Sequence, residues 1–300
     1  MFTFLLASTA FAVQKPSVPH RPSKSLSQMI DLVRETVVQV AVVLDNPGTQ
    51  IPEDLGLRLY FDNGKYVLGT GFFVNEDGDV ITAAHVSMAT AQTIHKLQER
   101  RINSQLHVCL PYPNSESERV KSIHNFVEFS YHPIAVDAVH DVSILSPVGR
   151  SPFQGLRPLL TGRGTENVSR LKPKVAQMYN ARPGDGDEVF ACGFPVGDNA
   201  LNTTTGHIAT AWGEENIAIV PIGGISKKSE VYKLDLRVNL GNSGGPVFLS
   251  ANQTVIGIVH GFTGGAPGEG TALIVPTHYI IDILKQNGRS WRPSTSGGQN

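Results

Sequence analysis

The sequence has few charged residues and few cysteines, and these shortages exclude several classes of protein. Charged residues make up 17% of the 300-residue chain and the net charge is −1, without the positive excess typical of a nucleic-acid binder. Two cysteines are too few for a disulfide scaffold or a cysteine-rich zinc module. Since Cys192 lies in an apolar run, we expect Cys109 and Cys192 to be free thiols, with one disulfide between them as the alternative.

The sequence also lacks an apolar run of the roughly 18 residues that a membrane-spanning helix needs. Residues 1–13 are the most apolar terminal stretch and resemble a short signal sequence, although no basic residue precedes them. A fortuitously apolar beginning is the alternative, so secretion or export depends on whether this segment is a working signal. Residues 14–26 are rich in proline and serine and indicate a linker, and residues 289–300 indicate a flexible tail. The folded domain is expected to span residues 27–288.

Turn-forming residues are abundant, with 30 glycines and 19 prolines. They separate short runs of β-branched and aromatic residues, beginning with residues 37–43. Many short strands with this punctuation are typical of a β-sandwich or β-barrel and not of alternating βαβ units. The further runs lie at 66–74, 79–83, 142–145, 189–192, 203–210, 217–221, 231–238, 246–249, 254–259 and 271–275.

Helical patterns are fewer and shorter than the strand patterns. Residues 27–33 predict a short helix, and residues 88–101 predict another within 87–136, the least patterned part of the chain. We expect 87–136 to be an elaborated connection. After Pro276, apolar residues recur with helical spacing until Gly288, which predicts a helix near the C-terminus.

The strongest chemical signal is the glycine-rich segment 241–246, which contains Ser243. Glycines allow the backbone to turn tightly, and such a loop can aim successive N–H groups at one point, as an oxyanion on a substrate carbonyl requires. The alternative is a glycine-rich turn between two strands. A serine also needs an adjacent base before it becomes a good nucleophile.

Two other segments offer that base and an acid to orient it. His85 directly follows the run 79–83, and Asp141 opens the apolar run Asp141–Leu145. A carboxylate at Asp141 could accept a hydrogen bond from the second ring nitrogen of His85 and fix its tautomer. A structural histidine and a strand-initiating aspartate are the alternatives. Asp137 is a competing acid, but no comparable apolar strand begins immediately after it.

These segments together resemble a known family. Residues 69–86, 141–145 and 241–246 resemble the three signature regions of chymotrypsin-fold (trypsin-like) serine peptidases, and the chain order histidine, aspartate, serine matches that family. Residues 189–197 and 234–243 narrow the resemblance to the HtrA/Deg branch. The chain departs from that branch because it leaves no room for a C-terminal PDZ module, so we expect none.

The resemblance implies an all-β fold of two six-stranded antiparallel β-barrels with the active site between them, followed by a short C-terminal helix. It implies a serine endopeptidase that acts on protein or peptide substrates without a metal or an organic cofactor. Ser243 would attack the peptide carbonyl, His85 would take its proton and Asp141 would hold His85. Gly241, Asn242 and Ser243 would form the oxyanion hole, with the N–H groups of Gly241 and Ser243 as donors. A homotrimer is implied by the resemblance alone, and we expect no nucleic-acid partner and no stable membrane span.

The resemblance also implies a substrate pocket. Arg237 would contribute to its base, where a buried guanidinium favours an acidic substrate side chain. Pairing with Asp235, which shares its strand face by the two-residue period, is the alternative. Val259, His260 and Gly261 would form a pocket wall and an edge for the substrate backbone. His260 would tune specificity, contact the triad or be a structural histidine.

The alternative to an enzyme is a catalytically silent protein-binding or chaperone-like module of the same fold. A missing triad residue would favour such a module, and this sequence has all three residues. The near-zero net charge disfavours a nucleic-acid binder.

Overall fold

The computed structural model describes most of the expected domain. The described ranges are 25–57, 61–111, 126–149, 152–154, 174–196, 200–218, 226–263 and 270–293. The expected signal-like segment, nearly all of the expected linker and most of the expected tail lie outside these ranges. Within them, no helix combines the length and the hydrophobicity needed to cross a lipid bilayer.

The first half of the chain forms a closed six-stranded barrel. Its strands are β1 (Val37–Leu44), β2 (Lys65–Phe73), β3 (Val80–Thr82), β4 (Ser104–Pro111), β5 (Phe126–Asp137) and β6 (Val142–Pro147). They are hydrogen-bonded in the order β1-β2-β3-β6-β5-β4, and every pair is antiparallel. Helix α1 (Leu26–Val33) precedes the barrel, and helix α2 (Ala84–Glu99) connects β3 to β4.

The second half forms another closed barrel with the same strand order. Its elements are β7 (Gln177–Met178), β8 (Glu188–Gly193), β9 (Asn202–Ala218), β10 (Ser226–Asp235), β11 (Pro246–Leu249), β12 (Thr254–Thr263), β13 (Thr271–Pro276), α3 (Thr277–Gln286) and β14 (Arg292–Pro293). The order β11-β8-β9-β10-β13-β12 is closed by pairing of β11 with β12, while the short strands β7 and β14 extend the sheet beside β12. Two six-stranded barrels with a helix near the C-terminus confirm the expected fold class.

The two barrels share one hydrophobic core across their seam. Phe72 and Ile81 of the first barrel belong to the same buried cluster as Phe190 and Phe248 of the second. A continuous apolar core disfavours separation of the barrels, because separation would expose that surface to water. The seam therefore holds residues from both barrels at fixed positions.

The segment predicted as an elaborated connection contains two strands, β4 and β5, so that prediction was wrong in part. In β4 the buried residues Leu106 and Val108 are separated by the polar His107. Polar and proline residues interrupt the strand pattern here, so the local sequence does not indicate a strand. Pairing with β1 stabilises β4 as a strand. Both cysteines are buried free thiols, as expected, and burial raises the pKa of Cys192 to about 11.

Candidate active site

Glycines at the seam allow the Ser243 loop to approach the segment that carries His85. A Cβ atom on Gly69 would lie 2.6 Å from Val86 Cγ2 and 2.9 Å from the Ser243 carbonyl oxygen. Gly244 adopts a φ of +79°, and a Cβ there would lie 2.6 Å from the backbone nitrogen of Ala83. Since real Cβ atoms are not found at such distances, these positions require glycine if the two segments are to meet.

Backbone hydrogen bonds hold the Ser243 loop to both barrels. The Thr70 N–H donates to the Ser243 carbonyl oxygen at 2.9 Å, which ties the loop to β2 of the first barrel. On the other side, the Gly244 N–H donates to the Val259 carbonyl oxygen at 2.8 Å, and the Val259 N–H donates to the Gly245 carbonyl oxygen at 2.9 Å. The serine is therefore fixed between β2 and β12.

Strand pairing brings His85 and Asp141 to the same end of the first barrel. β3 and β6 are antiparallel with Thr82 opposite Ser143, so the residue after β3 and the residue before β6 are neighbours. His85 lies in the first turn of α2, directly after β3. Asp141 lies in the turn before β6 with a φ of 57°, a left-handed conformation that aspartate tolerates better than most residues.

The Asp141 carboxylate holds His85 through two hydrogen bonds. Its Oδ1 accepts the His85 backbone N–H at 2.8 Å, and its Oδ2 lies 2.8 Å from His85 Nδ1. Burial of Asp141 raises the pKa of its carboxyl group, but the charge of His85 and hydrogen bonds from His260 and His85 outweigh it. The pKa of Asp141 is therefore well below its ordinary value, and the buried carboxylate is ionised beside the His85 ring.

A second imidazole contacts the same carboxylate. His260 Nδ1 lies 2.5 Å from Asp141 Oδ2, and the His85 and His260 rings are nearly perpendicular with centroids 5.7 Å apart. The register of β12 against β13 shifts between Val259 and Gly261, which places His260 at a β-bulge. Bulges re-aim side chains, and this one turns His260 towards the acid instead of along the regular strand face.

The Ser243 hydroxyl points towards β12. Its Oγ donates a long hydrogen bond of 3.5 Å to the His260 carbonyl oxygen. Among the described side chains, no hydrogen bond joins Ser243 Oγ to the His85 ring. A change of the Ser243 side chain to another staggered rotamer moves the hydroxyl without moving the loop.

The backbone around Gly241 leaves two N–H groups open. Within the described residues, the N–H groups of Gly241 and Ser243 have no acceptor, whereas the Asn242 N–H donates to the Asn239 carbonyl oxygen at 3.1 Å. Gly241 has a φ of +94°, which favours glycine, and a Cβ atom there would lie 2.6 Å from Val196 N. Two free donors two residues apart, with Asn242 between them, suit an oxyanion.

Thr70 fixes the Gly241 peptide, a contact that sequence reasoning missed. Its hydroxyl donates to the Gly241 carbonyl oxygen at 2.7 Å and accepts the Phe194 N–H at 2.9 Å. The threonine is completely buried and belongs to the first barrel, while both partners belong to the second. The sequence signal for this contact was the position of Thr70 between Gly69 and Gly71, because two small neighbours permit another segment to approach closely.

Asp137, the competing acid, is engaged elsewhere. Its Oδ2 lies 2.7 Å from His140 Nδ1, and its Oδ1 accepts the backbone N–H groups of Val139 and His140. These contacts within one turn leave Asp141 as the acid that meets His85.

Arg237 does not have the surroundings expected of a pocket base. Its side chain is exposed because the neighbouring Leu236 and Val238 point into the core of the second barrel. The expected buried guanidinium is thus absent, and no ion pair joins Arg237 to Asp235 among the described residues. Both line a surface cavity of about 950 Å³ that also includes Glu188.

The other three expected pocket residues lie on β12, apart from that cavity. Val259 is buried and uses its backbone to hold the Ser243 loop. His260 contacts Asp141, and Gly261 has open space where a Cβ would stand. The structure therefore does not bring Arg237 into one pocket with Val259, His260 and Gly261.

His85, Asp141 and His260 also offer one nitrogen or oxygen ligand atom each, all within 4.8 Å of one another. The ligand atoms of a tetrahedral zinc ion lie about 2 Å from the metal and hence about 3.3 Å from each other. The distances of 2.8 and 2.5 Å found here are those of hydrogen bonds to a carboxylate. The cluster is better described as two imidazoles that share one acid.

Comparison with known proteins gives one family and one fold. The family model for the trypsin-like peptidase domain matches residues 69–258. The magnetosome formation protease MamE of Paramagnetospirillum magneticum is 25% identical over 306 aligned positions, which cover 97% of this chain and 35% of MamE. The chain thus spans about a third of the length of this curated relative.

Two groups of solved structures have the same fold. The active form of the Rv3671c protease from M. tuberculosis superposes with a TM-score of 0.53 at 18% identity, covering 96% of this chain and 98% of that one. The HtrA-type protease AlgW with a decapeptide superposes with a TM-score of 0.55 at 17% identity, covering 88% of this chain and 67% of that one.

Proposed function

The chain belongs to the family of trypsin-like peptidase domains, and from this premise we propose that it is a serine endopeptidase that hydrolyses peptide bonds in protein substrates. The catalytic unit is the single domain 27–288, with its site between the two barrels. The observation that carries the proposal is the contact of His85 Nδ1 with the buried Asp141 carboxylate, next to the loop that presents Ser243. A buried, ionised acid on one ring nitrogen makes the other ring nitrogen a base.

The proton transfers follow from the tautomer that Asp141 imposes. Because Asp141 Oδ2 accepts from His85 Nδ1–H, the Nε2 atom of His85 is left as a proton acceptor. Ser243 Oγ attacks the carbonyl carbon of the scissile peptide while His85 Nε2 takes its proton. His85 then returns the proton to the departing amine, and a water molecule hydrolyses the acyl-enzyme by the same base.

The Gly241 and Ser243 N–H groups stabilise the oxyanion that forms on the attacked carbonyl. Asn242, the third residue expected in the oxyanion hole, has its N–H donated to the Asn239 carbonyl oxygen. It therefore contributes only by occupying the turn between the two donors. Loss of one oxyanion donor costs about 2.7–4 kcal/mol in the transition state of comparable sites. The strand edge at Gly261, where space is open, is where an extended substrate would pair its backbone.

One observation favours a second candidate, a catalytically silent module that binds peptides. The Ser243 hydroxyl is bonded to the His260 carbonyl oxygen and not to His85. In this alternative the hydroxyl stays there when a peptide occupies the cleft, and the bound peptide remains uncut.

Cleavage of a peptide library by the wild-type protein and the Ser243→Ala variant separates the two candidates. The proposed function predicts cleaved products with the wild type and none with the variant, at matched folding measured by thermal melting. Peptides that bind both proteins and are cut by neither would establish the binding module and contradict the peptidase.

A further inference from the structure

His260 forms hydrogen bonds with two of the three candidate catalytic residues. Its Nδ1 lies 2.5 Å from Asp141 Oδ2, and its carbonyl oxygen accepts the Ser243 hydroxyl at 3.5 Å. Its side chain is 14% exposed, and the carboxylate that it meets is fully buried. An uncompensated carboxylate at such a position would be costly, so each donor to it contributes to holding it in place.

The arrangement is built into the strand. The register shift between Val259 and Gly261 inserts His260 as an extra residue opposite β13, while the flanking residues remain paired with Ile274 and Leu273. The bulge gives the imidazole its direction, and the paired neighbours keep it there.

We propose that His260 is a positioning residue of the active site, whose imidazole shares Asp141 Oδ2 with His85 and so places a second ionisable ring on the acid. This inference rests on the proposed function, in which Asp141 orients His85. His260 acts through Asp141 and not by contact with the substrate. His260 also offers its carbonyl oxygen to Ser243, so the same residue is connected to the nucleophile.

The charges around His260 define the expected pH effect. Among the described residues, the titratable side chains next to it are Asp141, from the turn before β6, and His85, from the first turn of α2. The paired strand β13 presents the apolar Leu273 and Ile274. Both rings meet the same carboxylate, so a substitution that removes the ring of His260 changes the electrostatic surroundings of His85.

Two substitutions separate the donor of His260 from its charge. Asparagine places an amide nitrogen near the position of Nδ1 but cannot ionise, whereas alanine removes both properties. His260→Ala should lower kcat by about ten- to a hundredfold with KM within about twofold, as loss of a hydrogen bond to a charged group predicts. His260→Asn should recover most of kcat, and the acid limb of its pH profile of kcat/KM should differ from that of the wild type.

A matched control is His95→Asn, which changes an exposed imidazole that pairs with Glu99 on α2. It should leave kcat and the acid limb unchanged. The inference would be overturned if His260→Ala kept the wild-type kcat, or if the acid limb of His260→Asn coincided with that of the wild type. Either result would leave the proposed peptidase activity intact.

Proton NMR tests the shared acid independently of turnover. The wild-type protein and the Ser243→Ala variant should each show two low-field imidazole protons, one from each ring bonded to Asp141, and His260→Asn should lose one of them. If the wild type cuts no peptide, the proposed function fails and this spectrum still decides the inference. If His260→Asn keeps both resonances, the contact between His260 and Asp141 is refuted.

Discussion

Asp141 holds His85 at both its backbone and its ring, because Oδ1 accepts the His85 N–H and Oδ2 meets Nδ1. The N-cap of α2 is Ala83, whose side chain can make no capping hydrogen bond. The Asp141 carboxylate therefore supplies a hydrogen bond that a serine or aspartate N-cap ordinarily supplies, at the positive end of the helix. One buried side chain thus fixes the beginning of the helix and the orientation of the base.

Replacement of Asp141 by asparagine should lower kcat by about three to four orders of magnitude, as the same change does in other enzymes with a serine, histidine and aspartate triad. An amide can donate to Nδ1 and so favours the wrong tautomer of His85. The measurement is kcat and KM on a peptide that the wild type cleaves.

The control for that measurement is Asp137→Asn, which breaks the contact with His140 on the preceding turn. It should retain activity within about tenfold, since the lost hydrogen bonds lie outside the site. Equal losses in the two variants would count against Asp141 as the orienting acid.

The same carboxylate should make stability depend on acid pH. The pKa of Asp141 in the folded protein lies below the ordinary value of 3.8, because its partners outweigh the effect of burial. A group with a lowered folded pKa contributes stability above its unfolded pKa, and that contribution is lost as the pH falls towards the folded pKa. The difference in unfolding free energy between the wild type and Asp141→Asn should shrink as the pH falls below 3.8. Urea titrations over this range measure it, and a difference that grows on acidification would contradict the assignment.

The close approach at Gly244 should make alanine intolerable there. The added Cβ would meet the Thr82 hydroxyl oxygen, the Thr70 carbonyl oxygen and Ala83 N, at a φ of +79°. Strain and overlap together should cost about 2–5 kcal/mol of folding stability and abolish peptide cleavage.

Gly186→Ala is the matched control for Gly244→Ala. Gly186 has a similar φ of +85°, but a Cβ there would meet no atom within 4 Å. It should cost only the strain of about 1–2 kcal/mol and preserve activity. Chemical denaturation of both variants separates strain from overlap, and equal destabilisation would show that the barrels do not meet at Gly244.

Thr70→Val should weaken catalysis through the Gly241 peptide. Valine keeps the shape of threonine but leaves the Gly241 carbonyl oxygen and the Phe194 N–H without their partner. We expect a loss of about 1–3 kcal/mol in stability and a lower kcat, since the bond holds the carbonyl of the residue whose own N–H is a proposed oxyanion donor.

Thr90→Val is the comparison for Thr70→Val, because the Thr90 hydroxyl bonds to the Val86 carbonyl oxygen within α2. That oxygen is also the helical acceptor of the Thr90 N–H, so the cost should be smaller and kcat unchanged. Unchanged kcat in Thr70→Val would remove Thr70 from the support of the oxyanion loop.

Much of the fold could be predicted because its signals are local. The run 37–43, predicted as a strand, forms β1, and the apolar spacing between Pro276 and Gly288 corresponds to α3. Each element lies within a residue or two of the predicted position. These elements follow from β-branched residues, helical periodicity and turn-forming residues, which act over a few positions. The contact of His85 with Asp141 could be predicted because His85 follows one strand and Asp141 precedes another.

The remainder depends on pairing that the local sequence does not encode. The bulge at His260 exists only in the register of β12 against β13, so the contact with Asp141 could not be read from its neighbours. The exposure of Arg237 follows from a local signal, since the flanking Leu236 and Val238 are apolar and the two-residue period then turns residue 237 outwards.

The central claim is that Ser243 is a nucleophile activated by His85, and a fluorophosphonate probe tests it most directly. Mass spectrometry of the labelled, folded protein should find the adduct on Ser243, with the labelling rate greatly reduced in His85→Ala. A folded wild-type protein that stays unlabelled at Ser243, or that is labelled equally fast without His85, would contradict the account.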